Sequence, residues 1–542
     1  MSDSKKENSL TINLLQVRKI IFGFIILAFF SSCSKSFLNK LPADQEVEED
    51  FYKTPDDAWQ ALVAAYSVLD ISGYGNIWLS TEITSDDCFG GGGNADNGPR
   101  QWDKFQKYTD LNTDAWTKYY EGIYRVNTFL QQVGGVEFGT NTALRDRYIG
   151  EAYFLRAYFY FDLVRMFENV PLLTQPIQGS NYYVPQANPD SVYALISSDL
   201  QQAITKLGPS TVTYGNIAAS DYGRATKWAA EALQGRVFLY YTGYYGKTTL
   251  PGGFAKADAL SAVTDVINNS GYSLVGNYAS LWRSSSITAG VSFAGQNNQE
   301  DVFSIQYSSL GLGNWSQQNG NRVQVMIGLR GSVPAPYYEG WGFGPITPGL
   351  LGAFETADSI RKKASFVSVA GENLPYSPAS DQFQYTGYFW KKYTPMSQGN
   401  ADSLGGNFQI DNFDNYAVIR YADVLLMGAE LSLSSSLSNS QTWYNMVRDR
   451  AFAGDITHRK TLTADANGIN LIMTERRLEL ALEGQRYWDL LRQGLTVTAQ
   501  AINNPTGDAF DITFPTVTRG LFAIPETQIG LSNGTLKQNP GW

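Results

Sequence analysis

Residues 144–167 read LRDRYIGEAYFLRAYFYFDLVRMF and carry the strongest helix signal in the chain. Apolar side chains cover most of the circumference that this segment would have as a helix, so we expect it to be buried between neighbours. Asn169 can end the helix, and Pro171 prevents its continuation. Asp162 and Arg165 are three positions apart and can pair on the helix surface. The segment therefore predicts a long buried helix within a mainly helical fold.

Helical periodicity continues on both sides of this segment. The predicted helices cover residues 58–69, 111–133, 190–207, 224–241 and 255–268, and later 416–433, 441–451 and 468–492. Helices of this length, in two blocks, are typical of tetratricopeptide-like helix pairs, although no clean repeat of about 34 residues is present. An irregular all-α domain is the alternative. In both cases the helical blocks span residues 51–274 and 416–493.

The region between the two helical blocks has a different composition. Gly, Ser, Asn, Gln and aromatic residues dominate residues 275–415, and helical periodicity is poor there. One strand-like run, residues 302–307, stands out, and residues 494–542 are again loop-like. Long irregular segments in a compact protein are usually functional. We therefore predict one domain, residues 51–542, in which helix pairs pack against a loop-rich insertion with little β-structure.

The N-terminal segment has the pattern of a secretory signal. An apolar run at residues 20–30 follows basic residues and precedes Ser31, Ser32 and Cys33. The run is shorter than the roughly 20 residues that a membrane-spanning helix needs. A cysteine at the cleavage point resembles a bacterial lipoprotein signal, in which the thiol is lipidated. We predict a signal peptide at 1–32, lipidation at Cys33 and an extended lead at 33–50; an ordinary secretory signal is the alternative.

The composition argues against several classes of protein. A net charge of −10 makes nucleic acid an unfavourable partner. If Cys33 is lipidated, Cys88 has no cysteine left to pair with. His458 is the single histidine, which excludes a His-cluster zinc site, and no recognisable motif marks a catalytic carboxylate pair. We therefore expect no metal, no cofactor and no enzymatic activity. The 14% aromatic content exceeds what a helical core absorbs and predicts an aromatic-lined surface.

Five stretches carry a resemblance to a known family. They run in order along the chain: residues 33–42 (CSKSFLNKLP), 51–66, 147–171, 420–430 (RYADVLLMGAE) and 475–492 (ERRLELALEGQRYWDLLR). Together they span almost all of the chain after the signal, and the third, with EAYFLRAYFYFDLVR at 151–165, is the most specific. In these stretches the chain resembles the SusD/RagB family of outer-membrane nutrient-binding lipoproteins. The acid and arginine residues of the matched helices are interpreted as structural ion pairs.

The resemblance implies the following fold and function. The fold would be SusD-like, with tetratricopeptide-like helix pairs packed on a loop-rich remainder. The protein would be a lipid-anchored protein of the outer membrane that faces outside, captures an oligosaccharide or polysaccharide, and delivers it to a SusC-like TonB-dependent transporter without cleaving it. A peptide-binding relative is the alternative, and a glycoside hydrolase is a third hypothesis.

Two loops contain the side chains that sugar binding needs. Flat aromatic rings stack on the apolar face of a pyranose, while carboxylate, amide and guanidinium groups pair with its hydroxyls. Family members place glycan contacts in loops at these places, and a four-glycine run at 90–93 is read as making the first loop flexible. Packing inside the insertion is the alternative for its tryptophans. The candidate ligand-binding residues are Asp87, Arg100, Trp102, Asn314, Trp315, Arg322, Tyr337 and Trp341.

Overall fold

A computed structural model describes residues 51–70, 75–107, 110–177, 182–310 and 319–542. The signal peptide predicted at 1–32, the lipidation site Cys33 and the lead at 33–50 lie outside the described residues. The longer helices and the strands carry the labels used below. The helices are α1 Pro55–Tyr66, α2 Ile77–Ile83, α3 Asn97–Asp103, α4 Thr113–Gln132, α5 Thr142–Phe167, α6 Pro189–Leu207, α7 Lys227–Tyr245, α8 Lys256–Asn269, α9 Arg283–Ala289, α10 Val323–Ile327, α11 Pro348–Ala353, α12 Ser359–Ser365, α13 Tyr421–Ser432, α14 Leu437–Ala451, α15 Ala466–Glu479, α16 Arg486–Leu491, α17 Leu495–Ile502 and α18 Glu526–Leu531. The strands are β1 Val170–Pro171, β2 Gln186–Ala187, β3 Asp301–Ile305, β4 Gly331–Ser332, β5 Phe366–Ser368, β6 Ser377–Pro378, β7 Tyr388–Trp390 and β8 Tyr416–Arg420.

Helix α5 confirms the strongest sequence prediction. The Asn141 side chain accepts a hydrogen bond from the Leu144 N–H at 3.2 Å and so satisfies one of the free donors of the first turn. The helix ends at Phe167 because Glu168 adopts a positive φ of 57°. Its C-terminal half is buried on every side, as the apolar pattern requires.

The helices of the first block pack in chain order. Helix α4 packs on α5, α5 on α6, α6 on α7 and α7 on α8, while α1 covers α4 and α5. Each helix therefore buries two faces against its sequence neighbours, which is how helix-hairpin scaffolds build a continuous core. This arrangement confirms the predicted helical scaffold of packed helix pairs. Among the described helices, none is both long enough and apolar enough to cross a bilayer.

The loop-rich insertion begins and ends at one place. Helix α8, which precedes it, packs directly on α13, which follows it. Strands β3 and β8 pair antiparallel, with Ile305 opposite Tyr416. The strand predicted at 302–307 is confirmed, but the helix predicted at 416–433 is wrong over residues 416–420. Those residues are fully buried and extended because they complete a two-stranded sheet with the start of the insertion.

Other element boundaries also differ from prediction. The helix predicted at 468–492 is split into α15 and α16, because Leu482 and Gly484 adopt positive φ angles of 68° and 76°. The segment between the two helices is fixed by long-range contacts: the Leu482 carbonyl accepts from Trp78 Nε1 at 2.9 Å, and the Glu483 carbonyl accepts from the Tyr416 hydroxyl at 2.9 Å. Helices α17 and α18 lie in the tail that was predicted as loops.

A cluster of ion pairs is buried where the insertion meets the second helical block. Its members, called the buried ion cluster below, are Arg361, Lys392, Arg420, Arg450, Glu300, Glu475, Glu479 and Glu483. Their side chains are at most 4% exposed. Arg420 Nε lies 2.7 Å from Glu483 and its Nη1 3.1 Å from Glu479, while Arg450 Nη2 lies 2.6 Å from Glu479. Buried charges need such partners, and the cluster therefore joins α12, α14, α15 and β8 into one body.

Other predicted ion pairs are present as well. Asp162 pairs with Arg165 on α5. Arg156, on the same helix, forms an ion pair with Asp199 of the neighbouring α6, at 2.7 Å. Asp423 lies 2.6 Å from Arg476, as the structural interpretation of these acids requires. The charges of the matched helices thus hold helices together.

Candidate functional site

The two loops singled out from the sequence meet in the structure. The Gly92 N–H donates to the Gly342 carbonyl at 2.9 Å, and the Gly344 N–H donates to the Gly90 carbonyl at 3.1 Å. A third segment joins them, because the Phe383 N–H donates to the Gly92 carbonyl at 2.8 Å. We call residues 90–96, 329–343 and 379–384 the loop junction. Main-chain hydrogen bonds between segments some 250 and 290 positions apart give it a defined shape.

The glycine run serves close packing. Gly91 and Gly92 have φ angles of +68° and +76°, a region that side chains other than glycine avoid. A Cβ on Gly91 would lie 2.4 Å from the Gly342 carbonyl oxygen, and one on Gly92 would lie 2.7 Å from the Phe343 ring. The interpretation of this run as a flexible loop is therefore wrong, because the run is buried and leaves no space for side chains.

An exposed ion pair lies at the rim of the junction. Arg330 Nη1 lies 2.7 Å from Asp381, with side chains 25% and 35% exposed, and Asp381 also accepts from the Asn94 N–H at 3.2 Å. The hydrogen bonds from Arg330 and Asn94 lower the pKa of Asp381 to about 2. At neutral pH the rim therefore offers one guanidinium and one ionised carboxylate to solvent.

Partly exposed aromatic rings belong to the same junction. Trp341 is half-buried and contacts Phe343 at 6.0 Å between ring centroids. Phe383 is half-buried, and the Arg100 guanidinium lies 5.6 Å from its ring centroid. Arg100 also donates to the main-chain carbonyls of Asn94 and Asp96, so it holds the loop in place as well as lining it. The junction thus combines flat rings with amide, guanidinium and carboxylate groups.

Asp87 does not face this rim. Its side chain is fully buried and lies 2.7 Å from Arg477 of α15. Burial raises the pKa of Asp87, and the Arg477 charge opposes that shift. The prediction that Asp87 bonds a sugar hydroxyl is wrong for this structure, because an ion pair to a helix takes up its carboxylate.

Trp102 and Tyr337 are also buried. Trp102 is 2% exposed in α3, and Tyr337 is 1% exposed in a core cluster with Leu329 and Phe389. The Tyr337 hydroxyl donates to Glu372, which satisfies its polar end. Neither ring presents a face to a ligand, so the prediction that they contact sugar is corrected. Tyr337 packs within the core of the insertion, a placement that was considered from the sequence for the tryptophans of the insertion and not for this tyrosine.

The remaining candidates lie at or near a segment that is not described. Asn314 and Trp315 lie outside the described residues. Arg322 is 8% exposed and interacts electrostatically with Asp70 and Asp411. Burial raises the pKa of Asp70 to about 8 against the effect of Arg322. Arg322, Asn314 and Trp315 therefore stay predictions as ligand-binding residues, together with Arg100 and Trp341.

Sequence reasoning missed Arg330, Asp381 and Phe383. No motif marks these residues, and they reach the junction because β4 and β6 pair, with Gly331 opposite Pro378. Pairing between two-residue strands leaves no periodicity in a sequence. The one available signal is local: Arg330 precedes a glycine, and Asp381 lies two positions before a phenylalanine.

Comparison with known proteins gives consistent results along the chain. Two family models match it: the SusD family over residues 369–542, and a family described as starch-binding and associating with the outer membrane over residues 43–239. A SusD-like protein of Bacteroides ovatus is 27% identical over 488 residues, which cover 85% of this chain and 80% of the relative.

Solved structures show the same fold. A laminarin-binding SusD-like protein is 30% identical, with a TM-score of 0.75 over 91% of this chain and 100% of its own. Surface glycan-binding protein A from Bacteroides thetaiotaomicron, in complex with laminarihexaose, is 22% identical, with a TM-score of 0.75 over 90% of this chain and all of its own. One relative is 30% identical and is matched over its whole length, and one family model matches each end of the chain. The chain therefore belongs to the SusD family.

Proposed function

We propose that this protein is a cell-surface glycan-binding lipoprotein that captures an oligosaccharide at the loop junction and delivers it to a SusC-like TonB-dependent transporter. One observation carries the site assignment: main-chain hydrogen bonds join the segments that carry Trp341, Phe383 and the partly exposed Arg330–Asp381 pair into one junction. Rings bind the apolar face of a pyranose, and paired charged groups bind its hydroxyls.

Laminarin is the first ligand to test. The solved relative with 30% identity is named as laminarin-binding, and it aligns over its full length. Trp315, Asn314 and Arg322 would extend the site from the neighbouring segment, and Arg100 would support the ring of Phe383. A chain of several sugars could then contact both parts.

The decisive experiment is affinity electrophoresis in gels containing laminarin. We expect the protein to be retarded, and the variants Trp341→Ala and Phe383→Ala each to weaken binding by about fivefold, since an aromatic contact contributes on the order of 1 kcal/mol. Tyr183→Ala is the matched control, because Tyr183 is 51% exposed and lies outside the junction. Unchanged retardation of both ring variants, with melting temperatures preserved, would remove the junction as the site.

Binding without cleavage is part of the proposal. A glycoside hydrolase needs a protonated acid opposite a second carboxylate. Hydrogen bonds from Arg330 and Asn94 lower the pKa of Asp381, which disfavours it as the proton donor of such a pair. Prolonged incubation with laminarin should produce no new reducing ends, and their appearance would contradict this part of the proposal.

Peptide capture is the competing outcome. Calorimetry with a mixed oligopeptide pool and with a panel of glycans separates the two ligands. We expect a heat of binding with at least one glycan and none with the peptides. Heat from the peptides, abolished by Trp341→Ala, would assign the junction to peptide uptake.

The anchor and the transporter have their own tests. We propose that Cys33 carries the lipid, so the mature protein should begin at a modified cysteine in mass spectrometry. Cys33→Ala should release the protein from the outer membrane. Co-purification with a TonB-dependent barrel from native membranes would support delivery, and purification as an isolated protein under mild detergent would count against it.

A further inference from the structure

A large cavity lies between α9, α12 and the sheet of β5 and β7. Its volume is about 730 Å³, within the usual range of small-molecule sites. Its lining shares no residue with the loop junction. The lining consists of Asn277, Ala279, Ser285, Thr288, Ala289, Val291, Ile360, Lys362, Lys363, Ala364, Phe366, Ser368, Gly371, Glu372, Tyr388 and Lys391.

The charge of this cavity is opposite to that of the whole protein. Lys362, Lys363 and Lys391 line it, against the single carboxylate of Glu372, whereas the chain has a net charge of −10. Lys362 Nζ donates to the Leu351 carbonyl at 2.8 Å, which fixes its position near the wall. An excess of positive charge in a concave, partly enclosed space attracts anions.

Lys391 is the buried member of the set. It is 3% exposed, and its Nζ lies 3.0 Å from Glu372. Burial lowers the pKa of Lys391, and the charge of Lys363 adds to that effect. Lys391 and Lys363 both line the cavity, and Glu372 is the one carboxylate among its lining residues, so an anionic ligand there would meet a net positive charge.

Glu372 is already engaged by other donors. Its carboxylate accepts from the Tyr337 hydroxyl and from the Ser368 N–H, the latter at 3.0 Å. The carboxylate is thus positioned by the wall of the cavity and shared among three donors. Its one negative charge leaves the three lysines with a net positive balance.

The rest of the wall suits a ligand that carries hydroxyl groups. Asn277, Ser285, Thr288 and Ser368 bring amide and hydroxyl groups to the lining, each fixed by a hydrogen bond to the main chain that leaves it a further bonding capacity. Tyr388 supplies a half-buried ring. Apolar surface from Phe366 and Ile360 lies among them. A mixed wall of this kind matches a sugar ring with polar edges and an apolar face.

We propose that this cavity is a second ligand site, which binds a sugar bearing one carboxylate or sulfate group through Lys391 and Lys363. The proposal is independent of glycan binding at the loop junction. The anionic group would occupy the space between the two ammonium groups, and the hydroxyls would bond to the serine, threonine and asparagine side chains.

Calorimetry on the full protein tests the site with glucuronate, glucose 6-sulfate, glucose and inorganic sulfate as separate probes. We expect binding of at least one of the two anionic sugars, none of glucose, and weakening at high salt. Uronate alone or sulfate ester alone would each support the site and identify its anion. Inorganic sulfate bound as tightly as the sugars would overturn it, as would the failure of both anionic sugars to bind.

Variants separate this site from the junction. Lys363→Ala should weaken the anionic sugar at least fivefold, and Lys391→Met should abolish binding. Lys256→Ala is the control, because Lys256 is exposed and lies outside the cavity. Trp341→Ala should leave the affinity unchanged. If Lys391→Met does not fold, Lys363→Ala decides, and an unchanged affinity in that variant would refute the proposal.

Discussion

The buried ion cluster and the rim of the loop junction use the same residue types for different ends. Arg420 and Glu479 in the cluster are 2% and 0% exposed, whereas Arg330 and Asp381 at the rim are 25% and 35% exposed. Water screens the Arg330–Asp381 pair, which is partly accessible to solvent. The Arg420–Glu479 pair is inaccessible to a ligand and helps to hold the insertion on the helices. Solvent access, and not residue type, separates a structural charge from a binding charge.

The largest effect should follow from removing a cation of the buried ion cluster. Arg420→Met leaves Glu300, Glu479 and Glu483 without one of their partners in a dry environment. We expect a loss of about 3–5 kcal/mol in the free energy of unfolding, measured by urea denaturation. A loss below about 1 kcal/mol would mean that water or neighbouring cations compensate, and the contrast between the two regions would fail.

Acid should act on the same cluster. Burial favours the neutral form of Glu479, but the charges of Arg450, Arg420 and Arg361 outweigh it and lower its pKa to about 2, from an ordinary value of 4.5. Because the folded pKa is the lower one, the stabilisation is complete above pH 4.5 and is lost as the pH falls towards 2. The melting temperature should therefore drop steeply over that window, and Glu479→Gln should flatten the drop. An equally steep drop in the variant would assign it to other groups.

A smaller effect is expected from a methyl group in the glycine run. Gly92→Ala combines a φ of +76° with contacts of 2.7 Å to Phe343 and 2.8 Å to Asp96. We expect a loss of about 1–3 kcal/mol in stability and weaker laminarin retardation, because the junction must shift. Gly246→Ala is the matched control, since its φ is +63° but nothing lies within 4 Å of the new Cβ. Equal losses in both variants would mean that backbone strain alone is responsible.

The smallest change in stability should come from the rim. Arg330→Gln removes the exposed partner of Asp381, and the free energy of unfolding should change by no more than about 1 kcal/mol. The pKa of Asp381 should rise from about 2 towards its ordinary value, as followed by NMR titration. Laminarin affinity should fall while the fold persists. A loss of stability as large as that of Arg420→Met would place this pair among the structural ones.

Local signals explain what the sequence predicts well. Helix α5 has a long apolar pattern limited by Asn169 and Pro171, and the Asp162–Arg165 pair needs a spacing of only three residues. The strand near 302 was visible as an uninterrupted run. Each of these features depends on residues that are close in the chain, so the local sequence pattern is enough to find it.

Long-range contacts explain which features the sequence does not predict. Tyr337 resembles an exposed loop aromatic in the sequence, but it is buried against Val367 and Phe389, which lie 30 and 52 positions further along the chain. Trp102 is buried as well. The strand at 416–420 exists because β3 lies beside it, and the helix break at Leu482 depends on Trp78 and Tyr416. Neither the meeting of the two candidate loops nor the rim formed by Arg330, Asp381 and Phe383 was predicted, because both are products of tertiary pairing.

The pairing of β3 with β8, together with the contact of α8 with α13, has a consequence for how such a protein can diversify. The chain leaves the helical scaffold after α8 and returns to it at α13, which pack on each other, while the buried ion cluster holds the insertion on the second helical block. Loops of the insertion that lie away from these contacts can lengthen, shorten or change chemistry while the helices keep their packing. A new ligand specificity can therefore arise from changes in the insertion loops, without changes in the helical scaffold.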